Sequence, residues 1–149
     1  MKVIIASDHA GFSLKEEIKK QLLENNYDVL DFGTTNLESV DYPDYAFQVG
    51  QEVLKDNQNK GILVCGTGIG MCIACNKIAK IRCAKVSNVE ETILSREHND
   101  ANVLALSSKM PVQTAIDCVF AFLKTDFSNE ERHKRRIQKI TDYEEQHKL

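Results

Sequence analysis

ILVCGTGIGMCIACNK, residues 62–77, is the stretch that decides the fold. It starts as an apolar run of the kind that forms a buried strand, and the run ends at Cys65. Glycines then stand at positions 66, 68 and 70, and a helix is predicted over 69–79. A strand that enters a helix through a glycine-rich turn is typical of a parallel α/β sheet. The stretch therefore predicts such a sheet, with a thiol at the mouth of a turn that suits an anion.

The same alternation of strand and helix continues along the whole chain. The predicted strands cover residues 2–7, 27–33, 61–65, 82–86 and 102–107. Helices are predicted from a start near 13, over 43–55, 69–79, 88–98 and 111–123, and from 128 onward. This order predicts an α/β protein, a three-layer α/β/α sandwich around a five-stranded parallel sheet with an extra C-terminal helix.

Several helix starts carry capping signals. Ser13 and Glu16 have the spacing of a capping box at the start of the first helix. Leu14 and Ile18 share one face of that helix, which turns Lys15 away from it. Similar signals open the fourth and sixth helices, where Asn88 precedes Glu91 and Ser128 precedes Glu131.

The composition limits the classes of function. The chain has 149 residues, is 42% hydrophobic and carries a net charge of −3, which suits one globular domain over residues 1–149 and gives no sign of nucleic-acid binding. No apolar run is long enough for a membrane span, and the N-terminus lacks the pattern of a signal peptide. We therefore expect a cytoplasmic protein, in which the five cysteines form no disulfide framework.

Polar stretches follow the predicted strands. SDHAG follows the first strand, DFGTT the second and CGTGIG the third, while REHNDAN ends the fourth helix. Ligands of open parallel sheets bind at the carboxyl ends of the strands. The first three stretches are therefore predicted to meet at one edge of the sheet.

The glycine loop and its cysteine each allow two interpretations. The loop matches neither the Walker A pattern nor the dinucleotide fingerprint, so it is either an anion-binding loop or a tight turn without a ligand. Cys65 faces the expected crevice, where a thiol could act as a base or a nucleophile. A small buried hydrophobic residue is the alternative.

Other candidate groups are more ambiguous. Cys72 and Cys75 form a C-x-x-C inside a predicted helix, where packing is favoured over a redox dithiol or a zinc site. The four histidines are scattered, so no metal site is expected. Arg132 and Arg136 lie four residues apart on the last helix, which suits either a phosphate monoester or a solvated basic face.

The motifs together resemble a known family. SDHAGFSLKE, DFGT, SVDYPDYA, CGTGIGM, ACNK, REHNDANVLAL and ERHKRRI are similar to the sugar-phosphate isomerases that include the type B ribose-5-phosphate isomerases. The resemblance extends from residue 1 to about residue 140. Galactose-6-phosphate isomerase subunits and enzymes acting on allose 6-phosphate belong to the same family.

The resemblance implies a fold, an activity and an assembly. The fold is Rossmann-like, and the assembly is a homodimer or homotetramer whose active sites are shared between subunits. The reaction is the interconversion of ribose 5-phosphate and ribulose 5-phosphate in the non-oxidative pentose phosphate pathway, with no metal and no cofactor. A hexose 6-phosphate isomerase is the alternative within the class. A non-catalytic module that binds a sugar phosphate or a nucleotide is the alternative outside it.

The resemblance also implies roles for individual residues. Cys65 matches the base that moves a proton between C1 and C2, and Asp8 and His98 match groups that open the furanose ring. Thr67 matches a residue that stabilises the enediolate oxygen, together with the loop amides at Gly66, Gly68 and Gly70. The positions that match substrate contacts are His9, Tyr42, Asn99, Lys109, Arg132, His133 and Arg136.

The sequence departs from the family pattern at a few of these positions. Members that lack the cysteine use a glutamate four residues later, and that position is Ile69 here. After the fifth strand, Ser107 and Lys109 replace the usual glycine and arginine. Lysine keeps the charge but lacks the bidentate guanidinium, so the phosphate site and the preferred sugar length are the properties most affected.

Overall fold

A computed structural model of the protein describes residues 1–148, which contain five strands and six helices. The strands are Lys2–Ser7 (β1), Asp28–Asp31 (β2), Lys60–Cys65 (β3), Cys83–Lys85 (β4) and Val103–Ser107 (β5). The helices are Phe12–Glu24 (α1), Tyr42–Val53 (α2), Ile69–Cys75 (α3), Val89–Asn99 (α4), Val112–Lys124 (α5) and Glu131–Gln146 (α6). The alternation of strands and helices confirms the predicted α/β architecture with an additional C-terminal helix.

All strands of the sheet are parallel and lie in the order β2-β1-β3-β5-β4. The chain order reverses direction between β1 and β3, and such a point opens a crevice at the carboxyl ends of the two strands. The register pairs Ser7 with Val64 and Cys65 with Ser107. The residues that follow β1, β3 and β5 are therefore neighbours at one edge of the sheet.

The core lies on both faces of the sheet, as the apolar strand sequences predict. Alternate residues of β1 and β3 point to opposite sides, so Ile5 and Val64 pack with Phe122 of α5 while Ala6 and Cys65 pack with Met71 of α3. Burying each large side chain contributes about 1.5–3 kcal/mol. Cys65 is consequently anchored by the core on one side and opens to the sheet edge on the other.

Two of the three predicted capping boxes are wrong. α1 begins at Phe12 after an N-cap at Gly11, whose backbone N–H donates to Asp8 Oδ1 at 3.0 Å, so the predicted cap Ser13 lies inside the helix. α6 begins after Glu130, and Ser128 Oγ accepts only a 3.4 Å bond from the Glu130 N–H. The third cap is confirmed, because Asn88 Oδ1 accepts a 2.8 Å bond from the N–H of the residue three positions on.

Lys15 does not face solvent. Its side chain is fully buried, and its ammonium group donates to both carboxylate oxygens of Asp31 at 2.9 Å and to the carbonyl of Thr34 at 2.7 Å. Burial alone would raise the pKa of Asp31, but the bonds from Lys15, Gly33 and Lys19 outweigh it and lower that pKa. The network fixes the loop after β2 beside the end of β1, where Ser7 N–H donates to the carbonyl of Gly33.

α3 ends four residues earlier than predicted, at Cys75 rather than at residue 79. The side chain of Asn76 accepts a bond from the backbone N–H of Cys83 at 2.8 Å and donates to the Cys83 carbonyl at 3.0 Å. This pair of bonds ties the end of α3 to the start of β4, and the chain turns instead of continuing as a helix.

Candidate active site

The carboxyl-end edge of the sheet gathers the chemical groups that follow β1 and β3. Asp8 N–H donates to the carbonyl of Val64 at 3.2 Å, which fixes the end of β1 against the last residues of β3. Cys65 is the next residue on that strand and is only 4% exposed. The prediction that these stretches meet at one edge is confirmed.

Asp8 and His9 are held in defined orientations. One carboxylate oxygen of Asp8, which is 7% exposed, accepts the N–H of Gly11 and so closes the turn into α1. His9 Nδ1 accepts a 3.2 Å bond from the backbone N–H of Val40 in the loop before α2. Nδ1 is thus the acceptor, and in a neutral ring the proton is carried by Nε2.

The Cys65 sulfur lies against the glycine loop. Its Sγ accepts a 3.2 Å hydrogen bond from the backbone N–H of Gly68. Gly68 has a φ of 78°, and a Cβ there would lie 2.9 Å from the carbonyl carbon of Leu106. Only glycine fits this backbone conformation and this space without strain.

Hydroxyl groups from β5 and from the loop itself set the direction of the loop. Ser107 Oγ donates to the carbonyl of Gly66 at 2.9 Å, and Ser108 Oγ lies 3.4 Å from the same oxygen. Thr67 is exposed, and its Oγ1 accepts the N–H of Ile69 at 3.2 Å. Thr67 is thus the loop side chain that is presented to the crevice.

Tyr42 covers the far end of the loop. A Cβ built on Gly70 would lie 2.6 Å from Cζ of the Tyr42 ring, so the ring packs directly on that glycine. Tyr42 is 39% exposed and Lys109, beyond β5, is exposed as well. Both therefore border the same edge as Cys65.

A second polar cluster joins the end of α4 to the start of α6. The rings of His98 and His133 are stacked, with centroids 4.3 Å apart and planes 17° apart. His133 is 6% exposed, and its Nε2 is buried without a hydrogen-bond partner among residues 1–148. Burial, followed by the charges of Arg132 and the neighbouring His98, lowers the pKa of His133.

The arginines of α6 are exposed beside this cluster. Arg132 and Arg136 lie one turn apart, and Arg132 forms an ion pair with Glu130. Asn99 follows His98 and its backbone carbonyl accepts the Arg82 guanidinium at 2.9 Å. An unpartnered buried imidazole nitrogen beside two guanidinium groups suits an anionic, hydroxylated ligand.

Within one chain, Cys65 and its loop lie at the carboxyl ends of the strands, whereas the cluster of His98 and His133 lies toward their amino ends. Arg82, which donates to Asn99, immediately precedes β4. The carbonyl of Arg82 accepts the N–H of Asn102, and the carbonyl of Asn102 accepts the N–H of Gly61 at the start of β3. Cys65 is at the other end of β3, about 13 Å from Gly61 at the usual rise per residue. The structure thus joins Asp8, His9 and the loop, and separately joins His98, Asn99 and the α6 arginines.

Two negative findings apply to residues 1–148. No group of three or more His, Cys, Asp or Glu side chains in this part of the chain is arranged to hold a metal ion. Within the same residues, no helix is both long and apolar enough to cross a membrane.

Some groups that shape the site were missed by the sequence. Gly66 is oriented by Ser108 as well as by Ser107, and His9 is oriented by a backbone amide at Val40. Lys15 fixes the neighbouring loop although it was expected away from the packed face. These contacts join residues far apart in the chain, so the sequence does not predict them. The one local signal is a lysine, Lys15, next to the apolar residues of its helix.

Residues 3–140 match the family described as Ribose/Galactose Isomerase. The ribose-5-phosphate isomerase B of Escherichia coli strain K12 is 42% identical, with 97% of each chain covered.

Solved structures match the fold closely. Ribose-5-phosphate isomerase B from Clostridium thermocellum superposes with a TM-score of 0.93 at 44% identity, covering 98% of this chain and 99% of the other. The enzyme from Mycoplasma genitalium with bound ribulose 5-phosphate gives a TM-score of 0.94 at 41% identity, covering 98% and 97%. The Rossmann-like arrangement of the sheet and its helices is therefore shared with these proteins.

Proposed function

The chain belongs to the ribose/galactose isomerase family, and from this premise we propose that it interconverts D-ribose 5-phosphate and D-ribulose 5-phosphate. The observation that carries the proposal is the position of Cys65, whose sulfur ends a core strand and touches the amide of the glycine loop. A base and a set of backbone donors side by side are what proton transfer next to a carbonyl requires.

The Cys65 thiolate removes the proton from C2 of the open-chain aldose, and an enediolate forms. The same sulfur returns the proton to C1, while the proton of the C2 hydroxyl passes to the C1 oxygen, so the aldehyde becomes a hydroxymethyl group beside a new ketone. Thr67 and the loop amides of Gly66 and Gly70 stabilise the negative oxygen, because donors fixed in advance need no reorganisation. The Gly68 amide, which was predicted to join them, donates to Cys65 Sγ instead. The aldose and the ketose have the same atoms, so no cofactor is consumed.

Ring opening requires an acid and a base on the furanose. Asp8 lies beside Cys65, whereas His98 lies at the opposite edge of the same chain. We therefore propose that Asp8 acts with His98 of the partner subunit, and that His9, Tyr42 and Asn99 contact the sugar hydroxyl groups.

A symmetric homodimer would complete both sites at once. In a two-fold interface the same two patches meet twice, so the Cys65 edge of each chain faces the His98 cluster of the other. Large apolar side chains are exposed on the helices that follow the glycine loop and carry the arginines, including Ile73 of α3 at 58% and Tyr143 of α6 at 65%. Exposed apolar groups of this size favour a protein interface, and a homotetramer could be built from such dimers.

The phosphate is assigned to the basic groups around this composite site. Arg132 and Arg136 offer planar guanidinium groups one turn apart, and His133 on the same helix has a buried Nε2 without a hydrogen-bond partner, 4.0 Å from a carboxylate oxygen of Glu130. Lys109 adds a positive charge from the Cys65 edge. The free energy gained by binding the phosphate, which is remote from the reacting carbons, can be used to lower the barrier of the chemical step.

Turnover of several sugar phosphates tests this proposal. We would follow ketose formation from ribose 5-phosphate, allose 6-phosphate and galactose 6-phosphate, with a chelator present. Fast turnover of the pentose that is insensitive to the chelator is expected. Preference for a hexose would instead assign the enzyme to hexose 6-phosphates and make Ser107 and Lys109 the marks of a shifted phosphate site. Absence of any turnover would favour a non-catalytic binding module.

We also propose a cytoplasmic location within the non-oxidative pentose phosphate pathway. All five cysteines are free thiols, which suits a reducing compartment.

A further inference from the structure

Three cysteines that the proposed reaction does not use meet between α3 and β4. Cys72 and Cys75 lie on α3, and Cys83 opens β4. The Cys72 sulfur lies 3.4 Å from the Cys83 carbonyl oxygen. Cys75 and Cys83 belong to the same buried core cluster, and Cys72 packs against that cluster. No metal site of three or more ligands exists among residues 1–148, so the cluster is one of thiols alone.

We propose that Cys72 and Cys83 form a reversible disulfide when a hydroperoxide oxidises Cys72, and that this bond pulls α3 toward β4 beside the glycine loop. Cys72 is the half-exposed member of the cluster, whereas Cys83 and Cys75 are buried. A reactive thiol that is reachable from solvent and adjacent to a second thiol is the usual arrangement of a redox-sensitive pair.

The surroundings of Cys72 favour its thiolate. The hydrogen bond with the Cys83 thiol, helped by the backbone N–H of Lys85, by Asn76 and by the Lys85 charge, lowers the pKa of Cys72 to about 6 despite partial burial. Asn76 Nδ2 lies 3.5 Å from the Cys72 sulfur. Most of Cys72 is therefore ionised at neutral pH, and the thiolate is the nucleophilic form.

Cys83 is suited to the second step. The neighbouring Cys72 and Cys75 thiols, together with burial, raise the pKa of Cys83 well above its ordinary value. Oxidation of Cys72 removes the negative charge of its thiolate. Cys83 also lines a cavity of about 440 Å³ with Asn76 and Arg82.

The chemistry balances with the hydroperoxide as the only oxidant. The Cys72 thiolate attacks one peroxide oxygen, the O–O bond breaks, and a sulfenic acid forms as hydroxide or alkoxide leaves. The Cys83 sulfur then attacks the Cys72 sulfur as its proton passes to the leaving hydroxyl, so the S–O bond breaks and water leaves as the S–S bond forms. The released hydroxide or alkoxide takes up the proton that Cys72 lost on ionisation. Two thiols thus supply the two electrons that reduce the peroxide.

A disulfide at this place would reach the proposed catalytic sulfur. The Cys72 N–H donates to the Gly68 carbonyl at 3.1 Å, and the Gly68 N–H donates to Cys65 Sγ. An S–S bond of about 2 Å is shorter than any hydrogen-bonded separation of two thiols, so Cys72 must move toward β4. This movement would displace Gly68 and with it the contact to Cys65. The effect on turnover rests on the proposed isomerase function, whereas the disulfide itself does not.

The chain allows the bond to be mapped directly. Trypsin cuts after Lys60, Lys77, Arg82 and Lys85, so Cys72 lies in peptide 61–77 and Cys83 in the tripeptide 83–85. After treatment of the full chain with hydrogen peroxide and alkylation of the remaining thiols, mass spectrometry is expected to find these two peptides joined, and dithiothreitol is expected to separate them.

Variants identify the partner of Cys83, because peptide 61–77 also contains Cys65 and Cys75. The joined peptides should be lost in Cys72→Ser and should persist in Cys75→Ser and in Cys118→Ser, a buried thiol of α5 that serves as the control. Persistence of the joined peptides in Cys72→Ser would overturn the proposal. The proposal would also be overturned if peroxide oxidised the thiols of the chain of unchanged sequence without forming the joined peptides.

Turnover is measured on the same samples. Oxidised enzyme of unchanged sequence should lose most of its turnover and regain it with dithiothreitol, whereas Cys83→Ser should not show a loss that follows disulfide formation. Joined peptides without any change in turnover would overturn the coupling to the glycine loop. A chain that forms the disulfide but never turns over a sugar phosphate would contradict the proposed function alone.

Discussion

The backbone N–H of Gly68 donates a 3.2 Å hydrogen bond to the sulfur of Cys65. The bond closes the turn between β3 and α3 and fixes the sulfur where the loop amides converge. The sulfur and the N–H that fixes it thus come from the same four-residue segment, residues 65–68. We therefore expect turnover to depend on the geometry of the turn as well as on the thiol.

Cys65→Ala should lower kcat by on the order of a hundredfold or more, the usual effect of removing a positioned acid–base group. The remaining loop still binds substrate, so KM should change much less than kcat. Steady-state kinetics with ribose 5-phosphate measure both. Cys118→Ala is the matched control, since it removes a buried thiol on α5 far from the loop. Equal kcat values in the two variants would show that Cys65 is not the base.

Gly68→Ala should damage both stability and turnover. An alanine must adopt the φ of 78° and place its Cβ 2.9 Å from the carbonyl carbon of Leu106. A left-handed conformation alone costs about 1–2 kcal/mol for a residue with a Cβ. Thermal unfolding and kcat are the two measurements.

The control for that change lies two residues away. A Cβ on Gly66 would meet its nearest neighbour, Ala10 Cβ, at 3.8 Å, which is an ordinary contact. Gly66→Ala should therefore keep a melting temperature close to that of the unchanged chain, although its turnover is not a control because its amide belongs to the proposed site. A melting temperature of Gly68→Ala as high as that of Gly66→Ala would contradict the argument from strain.

The sequence predicted those parts of the fold that depend on local pattern. Apolar runs such as KVIIAS and GILVC predicted the strands. The ends of these runs predicted that Asp8 and Cys65 lie close together at the carboxyl ends of β1 and β3. The burial of Lys15 could not be predicted, because its partner Asp31 is sixteen residues away and belongs to another element. The stacking of His98 on His133 was likewise hidden, since it depends on how α6 packs against α4.

The ion pair of Lys15 with Asp31 should make stability depend on pH in acid. The pKa of Asp31 is lowered in the folded chain from its ordinary value of 3.8. The carboxylate therefore contributes stability that is fully present above the unfolded pKa and is lost as pH falls through the folded pKa. Melting temperatures recorded from about pH 5 down to about pH 2 should fall less steeply in Asp31→Asn than in the unchanged chain.

Lys15→Met should lower the free energy of unfolding by about 3 kcal/mol at neutral pH, because it leaves a half-buried carboxylate without its main partner. Lys20→Met makes the same chemical change at an exposed position of α1 and should cost less than about 0.5 kcal/mol. Urea unfolding followed by circular dichroism gives both values. Similar losses in the two variants would mean that Lys15 contributes no more than a surface lysine.

The separation of Cys65 from His98 within one chain leads to a test by subunit exchange. Cys65→Ala and His98→Asn homodimers should each be nearly inactive, because every site in them lacks one catalytic group. In a mixed dimer one site carries both changes and the other carries neither. Random exchange yields half mixed dimers with one intact site each, so turnover should recover to about a quarter of that of the unchanged enzyme. Mixing Cys65→Ala with Asp8→Asn is the control, because both changes lie on the same edge and no mixed dimer has an intact site. Absence of recovery in the test, after exchange is verified by mass spectrometry, would mean that each active site is built from a single chain. Recovery in the control would mean that Asp8 and Cys65 of one site come from different chains.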